Sequence, residues 1–173
     1  FPRSESGRVF ELKGANGKFI ANPALASSKD LRDAVSAARG AVNGWNKNTA
    51  YLRGQILYRI AEMLEGRAAQ FTAELKAVGD KTKVTDAIDL IVWYAGWTDK
   101  LSALSGVTNP VAGPFYNFTT PEALGVVGII SKPNFLEFID ALLAVICSGN
   151  TAVVVAPEGL AVPAMSFAEV LAT

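Results

Sequence analysis

The chain has 173 residues, half of them apolar and 18% charged, which is one domain of ordinary size with enough apolar side chain to build a core. Its 16 basic and 16 acidic residues cancel, so no excess of Lys or Arg is on hand to displace counterions from nucleic acid. No His is present, which excludes Ser-His-Asp and Cys-His catalysis, HExxH zinc sites and an imidazole pH switch within this chain. The single cysteine, Cys147, cannot close an intrachain disulfide and points to a reducing, cytoplasmic setting. Chemistry must therefore run on carboxylates, amides, Lys or backbone donors.

The start, Phe1-Pro2-Arg3-Ser4, carries no basic-then-apolar export pattern. The end, Ala172-Thr173, follows a helical pattern without a Gly or Pro stop. Both ends read as cuts in a longer protein. The longest apolar stretch, Phe135 to Pro157, is broken by Glu137, Asp140 and Ser148-Gly149-Asn150, too short and too charged to span about 30 Å of hydrocarbon. Neither a membrane nor nucleic acid is an expected partner.

In chain order, Val9 to Leu12 and Lys18 to Ala21 flank Gly14-Ala15-Asn16-Gly17, and Asn-Gly between alternating runs predicts a hairpin because both residues accept positive φ. A helix starts at Ser27 or Ser28 with Asp30 in its first turn, and Leu31, Ala34, Val35, Ala38 and Val42 give it one apolar stripe. A second helix is expected from about Ala50 to Leu75 after Thr49, with Ile56, Leu57, Ile60, Met63, Leu64 and Phe71 inward. A third is expected from about Thr85 to Leu104, with Ile88, Ile91, Val92, Ala95 and Leu101 inward. Gly106, Pro110, Gly113 and Pro114 then mark a connection. Phe115 to Thr120 alternates large and small residues, as an edge strand does. Leu124 to Ile130 is nearly all apolar, which suits a strand covered on both faces. Phe135 to Cys147 reads as a buried helix, Thr151 to Ala156 as a second Val-rich strand, and Ala161 to Leu171 as a last helix that tolerates Pro163 in its first turn. The order from 124 onward is a βαβ unit with parallel pairing, so the class is α/β.

In open α/β sheets ligands sit beyond the carboxyl ends of the strands, near helix N-termini. Two loops qualify: Ser131-Lys132-Pro133-Asn134-Phe135 and Ala156-Pro157-Glu158-Gly159-Leu160. Asn134 either presents an amide N–H to a developing oxyanion or caps the following helix. Glu158 either accepts from ribose hydroxyls or is a solvated loop charge. Single polar residues at such loops favour the plainer reading in each case. Lys132 pairs with a phosphate or faces solvent, and the sequence leaves both open. Cys147, at the end of an apolar helix with no basic residue closely before it, reads as a core thiol. Trp93, Tyr94 and Trp97 read as packing. Neither GxGxxG nor GxxxxGK[ST] occurs, and nothing implies a metal site.

Read in order, the segments Ser6-Gly7-Arg8-Val9, Asn22-Pro23 leading to Ala34-Val35-Ser36-Ala37-Ala38-Arg39 and Trp45, Arg53 with Ile56-Leu57, and Tyr94-Ala95-Gly96-Trp97 with Lys100-Leu101 form a recognisable series. The most specific pieces are Pro121-Glu122-Ala123-Leu124-Gly125-Val126-Val127-Gly128 and Gly149-Asn150-Thr151-Ala152-Val153-Val154. Their order and spacing, from about Ser4 to Thr173, resemble the N-terminal portion of an aldehyde dehydrogenase superfamily member. The resemblance implies a fold of an N-terminal hairpin and helices followed by a partial, Rossmann-like parallel sheet, the incomplete NAD-binding domain of that family. It also implies that about 110–123 contribute to a strand ribbon that builds homo-oligomers.

The family's site residues carry over one at a time. After the Gly-Val-Val-Gly strand the family usually has Pro-Trp-Asn, whose Asn helps hold the aldehyde oxygen. Here Lys132-Pro133-Asn134 stands there, so the resemblance makes Asn134 the oxyanion donor, with Ser131 and Lys132 beside the cofactor. The stretch from Asn134 to Gly149 is two residues shorter than the usual pattern. After the next strand the family has Lys-Pro-Ser-Glu, whose Lys and Glu contact the adenosine ribose. Glu158 matches, but Val155 replaces the Lys, removing a charge-assisted hydrogen bond worth about 1.5–3 kcal/mol, roughly ten- to hundredfold in affinity. Cys147 aligns with a structural position. The second nucleotide loop, the general-base Glu and the thiolate Cys of a complete member lie beyond the equivalent of Thr173.

Three expectations follow. In the first, the complete protein oxidises an aldehyde to a carboxylic acid with NAD or NADP, and this portion is inert alone. In the second, suggested by Val155 and Lys132-Pro133, the unit is a degenerate, non-catalytic one kept for assembly. In the third, the 173 residues form a binding module of their own. Its open sheet edge would make it oligomerise or bind no cofactor when produced alone.

Overall fold

A computed structural model describes residues 4–172; the reading of the first three residues and of Thr173 lies outside them. The chain opens with a hairpin of β1 (Leu12–Lys13) and β2 (Phe19–Ala21), antiparallel, with an irregular step between Leu12 and Lys13. Its turn departs from the expected one. Gly17 alone takes positive φ, at 74°, while the Asn16 side chain instead accepts from the Lys18 N–H at 3.0 Å, as an Asx turn does. The hairpin docks through the Ala15 N–H on the Ala77 carbonyl at 3.0 Å.

Helix α1 (Ser28–Lys47) starts with the capping box that Ser27 and Asp30 suggest, each side chain bonded to the other's backbone N–H. Its stripe is only partly inward. Val35, Ala38, Val42 and Trp45 are half-buried, whereas Leu31 and Ala34 are exposed. The sequence predicts one helix from about Ala50 to Leu75; the structure has two, α2 (Ala50–Gly66) and α3 (Ala68–Val78). The break falls at Arg67, directly after Gly66, a residue of low helix propensity. Arg67 leaves helical geometry there, and its guanidinium pairs with Glu169 at 2.9 Å and lies 5.6 Å from the centre of the Phe71 ring. The third predicted helix is also two, α4 (Val84–Trp97) and α5 (Leu101–Ser105). Between them Thr98 is buried, its hydroxyl donating to the Ala95 carbonyl at 2.9 Å.

The connection after α5 holds a strand that composition hides, β3 (Val107–Asn109), paired antiparallel with β4 (Asn117–Thr119). The βαβ unit follows as expected: β5 (Val126–Ile130), α6 (Phe135–Cys147) and β6 (Thr151–Val155), with β5 and β6 parallel and Val126 opposite Thr151 through Ile130 opposite Val155. A 3-10 turn, Glu158–Leu160, leads into α7 (Ala161–Ala172).

The expectation that Leu124 to Ile130 is covered on both faces does not hold. Val127, Ile129 and Val154 face the core, but Gly128 is exposed, Ile130 is 89% exposed and Val155 is 54% exposed. Period-two alternation alone places these on opposite faces of the pleat, and the amino end of the second face meets the middle of α1, where the Thr151 hydroxyl donates to the Ala38 carbonyl at 3.1 Å. The core gathers α2, α3, α4, α6 and α7 around Phe135, whose ring lies 5.9 Å from Phe71 and 6.1 Å from both Phe138 and Phe167. Phe135 and Phe138 in the first turn of α6, packed with Phe71 of α3 and Phe167 of α7, anchor its N-terminus in the core. Among the described residues no helix is long and apolar enough to cross a membrane.

Candidate functional site

The carboxyl ends of β5 and β6 lie side by side, tied by the Ser131 N–H donating to the Val155 carbonyl at 3.4 Å. Beyond β5, an open groove of about 450 Å³ is lined by Ile130, Ser131, Lys132, Glu137, Asp140 and Ala141. Ser131 is half-buried, and its hydroxyl donates to the Lys132 carbonyl at 3.1 Å. Lys132 is strongly exposed and its ammonium stands 3.2 Å from Glu137, a pair that solvent screens to little net stability. Beyond β6, Glu158 is exposed at the head of the 3-10 turn and does not line the groove. The structure thus brings Ser131 and Lys132 together and leaves Glu158 on the neighbouring loop.

Asn134 caps α6. Its Oδ1 accepts from the Glu137 N–H at 3.1 Å, and its backbone is extended as an N-cap requires. Oδ1 being the acceptor, Nδ2 turns toward the Thr82 hydroxyl, 3.4 Å away. The side chain is half-buried and faces the α3–α4 connection, not the Ser131–Lys132 groove. An amide nitrogen carries two N–H bonds, so the cap and the Thr82 contact leave one for another acceptor.

Two residues that sequence reasoning passed over belong to this cap. Asp80 accepts from the Thr82 N–H at 2.7 Å with one oxygen and from the Phe135 N–H at 2.8 Å with the other. A negative side chain at the first N–H of a helix offsets the positive end of its dipole. Gly79 was the available signal: a Gly after a helical run marks a C-cap, and Asp80 is the next residue.

Cys147 is buried at the end of α6, its Sγ donating to the Tyr94 carbonyl at 3.4 Å. Burial pushes the thiol up from its ordinary value, against a smaller opposite pull from Arg53, the reverse of what a nucleophilic cysteine needs. Tyr94 is also held well above its usual value, first by burial and then by its 2.7 Å bond to the Asp140 carboxylate. Trp93, Tyr94, Trp97, Leu101, Ala144, Cys147 and Ser148 line a second, mostly apolar groove of about 260 Å³, and the ring contact of Trp93 with Trp97 at 5.4 Å shows the aromatic run packing on itself.

The model of the aldehyde dehydrogenase family matches residues 1–173. The chain is 37% identical over 164 residues to retinal dehydrogenase 2 of Gallus gallus, covering 87% of this chain and 31% of that protein. It is 32% identical over 185 residues to the cytosolic 10-formyltetrahydrofolate dehydrogenase of Pongo abelii, covering 98% of this chain and 20% of that one. A solved structure of a mutant aldehyde dehydrogenase from Bacillus cereus superposes with a TM-score of 0.85 at 26% identity, over 98% of this chain and 37% of that one. The chain therefore spans about a third or less of the length of these relatives. With its whole length matched and its hairpin, helices and parallel pair superposed on that enzyme's, the chain belongs to the aldehyde dehydrogenase family.

Proposed function

We propose that the full-length protein is an NAD(P)-dependent aldehyde dehydrogenase, oxidising an aldehyde to a carboxylic acid in the cytoplasm, and that this chain is the N-terminal portion of its NAD-binding domain. The observation that carries the reading is that, in a family member, a capping Asn at the start of α6 and an exposed Glu in the turn after β6 follow the carboxyl ends of two adjacent parallel strands. The residues fit a dinucleotide. Glu158 offers acceptors to ribose hydroxyls, and Ser131 and Lys132 line an open groove at the strand end. When bound, the cofactor supplies the hydride acceptor. Asn134 directs its remaining Nδ2 N–H at the aldehyde oxygen and stabilises the negative charge that develops there. Lys132 supplies positive charge that Glu137 partly neutralises.

The test is nicotinamide reduction by the full-length protein across a broad aldehyde panel, with Asn134→Ala alongside. Turnover of at least one aldehyde is expected, lowered on the order of 10²–10³-fold in the variant, the usual loss for one oxyanion donor. No reduction with any aldehyde overturns the reading.

One observation favours a second reading, a non-catalytic unit kept for homo-oligomeric assembly. At the carboxyl end of β6, Val155 presents an exposed apolar side chain where the family usually has a Lys. Low-micromolar dinucleotide binding by the full-length protein in calorimetry would exclude that alternative.

A further inference from the structure

Resting on the dehydrogenase reading, we propose that Asp80 and Thr82 are positioning residues that hold the Asn134 amide in the orientation its oxygen-stabilising role requires. The carboxylate of Asp80 spans two backbone donors, Thr82 N–H at 2.7 Å and Phe135 N–H at 2.8 Å. One side chain therefore staples the 80–82 turn to the first residue of α6, across 55 positions of sequence. Asp80 is delivered there by the end of α3: Gly79 takes φ 81° and the Asp80 N–H returns to the Leu75 carbonyl at 2.9 Å, the Schellman arrangement.

The consequence falls on Asn134. Its amide is held at both ends, Oδ1 by the Glu137 N–H at 3.1 Å and Nδ2 by the Thr82 hydroxyl at 3.4 Å. Either contact alone leaves the amide plane free to swing; both together fix it, and the one remaining N–H then has a fixed direction. The backbone beneath it is anchored by the next residue, Phe135, which is fully buried among Phe71, Phe138 and Phe167. The side chain's own torsions are the remaining freedom, and the 80–82 turn removes them. A donor displaced by about 1 Å from the reacting oxygen costs up to about 10²-fold in rate, so orientation here is a catalytic quantity.

The experiment uses the full-length protein and three variants. Thr82→Val keeps the shape and removes the hydroxyl, Thr82→Ser keeps the hydroxyl, and Asp80→Asn replaces one of the two accepting oxygens with an amide that cannot accept. Thr82→Val is expected to lower kcat about five- to tenfold with KM for the aldehyde within about twofold, and Thr82→Ser to restore it. Asp80→Asn is expected to lower kcat similarly. In crystal structures the Asn134 side chain should rotate in Thr82→Val and return in Thr82→Ser. Unchanged kcat with an unmoved Asn134 in Thr82→Val, or equal losses in the Val and Ser variants, would overturn the proposal. If the wild-type protein turns over no aldehyde, the dehydrogenase reading fails by itself and the crystal structures decide: an Asn134 that swings and returns supports the positioning role, and one that stays in place overturns it.

Discussion

Asn150 joins the start of β5 to the end of α6 with one side chain. Its Oδ1 accepts from the Gly125 N–H before β5 at 2.9 Å, and its Nδ2 donates to the Ser148 hydroxyl after α6 at 2.9 Å. Gly149 reaches it through a φ of 83°, and Thr151 returns its own N–H to the Gly125 carbonyl at 2.9 Å. The most recognisable motif in the sequence is thus a structural staple, which satisfies buried backbone groups that would otherwise cost free energy. Cys147 shows the same division between recognisable and reactive. Its thiol is protonated in the fold by burial, while in the unfolded chain it ionises at the ordinary value of about 8.5. The unfolded state therefore releases protons first, and the stability this burial contributes is complete below about pH 8.5 and declines as pH rises. Tyr94, held up by burial and by Asp140, adds a loss of the same sign above about pH 10. Denaturant midpoints measured from pH 7 to 11 should fall steeply at the alkaline end and less steeply in Cys147→Ala with Tyr94→Phe. Equal slopes in the two proteins would show that neither group sets the decline.

At the scale of elements, two of the expected helices end at residues packed against another element. Arg67 interrupts the run from Ala50 because its guanidinium is turned to Glu169 of α7 and the Phe71 ring. Thr98 ends α4 beside Gly54, where an added Cβ would lie 2.8 Å from its hydroxyl oxygen. Apolar periodicity reports a helical face and is silent on such tertiary demands, so α6, bounded by Asn134 and Ser148-Gly149, was legible to the residue while the breaks at Arg67 and Thr98 were not. The site divides the same way. Asn134 could be found from its place between a strand and a helix, whereas Asp80 and Thr82 meet it only through contacts 52 to 55 positions apart. Gly79 is the hinge of that arrangement. Its φ of 81° and the Ala15 Cβ, 3.0 Å from where a new Cβ would lie, make Gly79→Ala unfavourable on both counts. The variant should lose about 1–3 kcal/mol in denaturant titration, and it should shift Asp80 enough to loosen the α6 cap. A variant as stable as the parent would mean that the α3 terminus relaxes without strain.

At the scale of the whole molecule, two apolar surfaces stand exposed among the described residues. One is the outer face of the β5–β6 pair at Gly128, Ile130 and Val155. The other is the β3–β4 ribbon, with Phe115, Phe118 and Tyr116 exposed, the last to 92%. The second strand of that ribbon was legible from alternation, but β3 was not, because Val107-Thr108-Asn109 is too short to carry a period and gains its register only from Asn117 to Thr119 across the turn. A two-stranded ribbon standing alone is marginal in water, and three exposed aromatics on or beside one are more than an ordinary monomer surface carries. Association through the ribbon would account for both, by adding partners to its unpaired backbone edge and covering the rings. If so, Tyr116→Ser with Phe118→Ser should reduce the assembly of the full-length protein, read by light scattering or sedimentation, while leaving the α6 core and its thermal transition nearly unchanged. The strands themselves hold no core residue, which is why the two readouts separate. An unchanged assembly state would assign these aromatics no role in association and turn attention to the open face of β5 and β6.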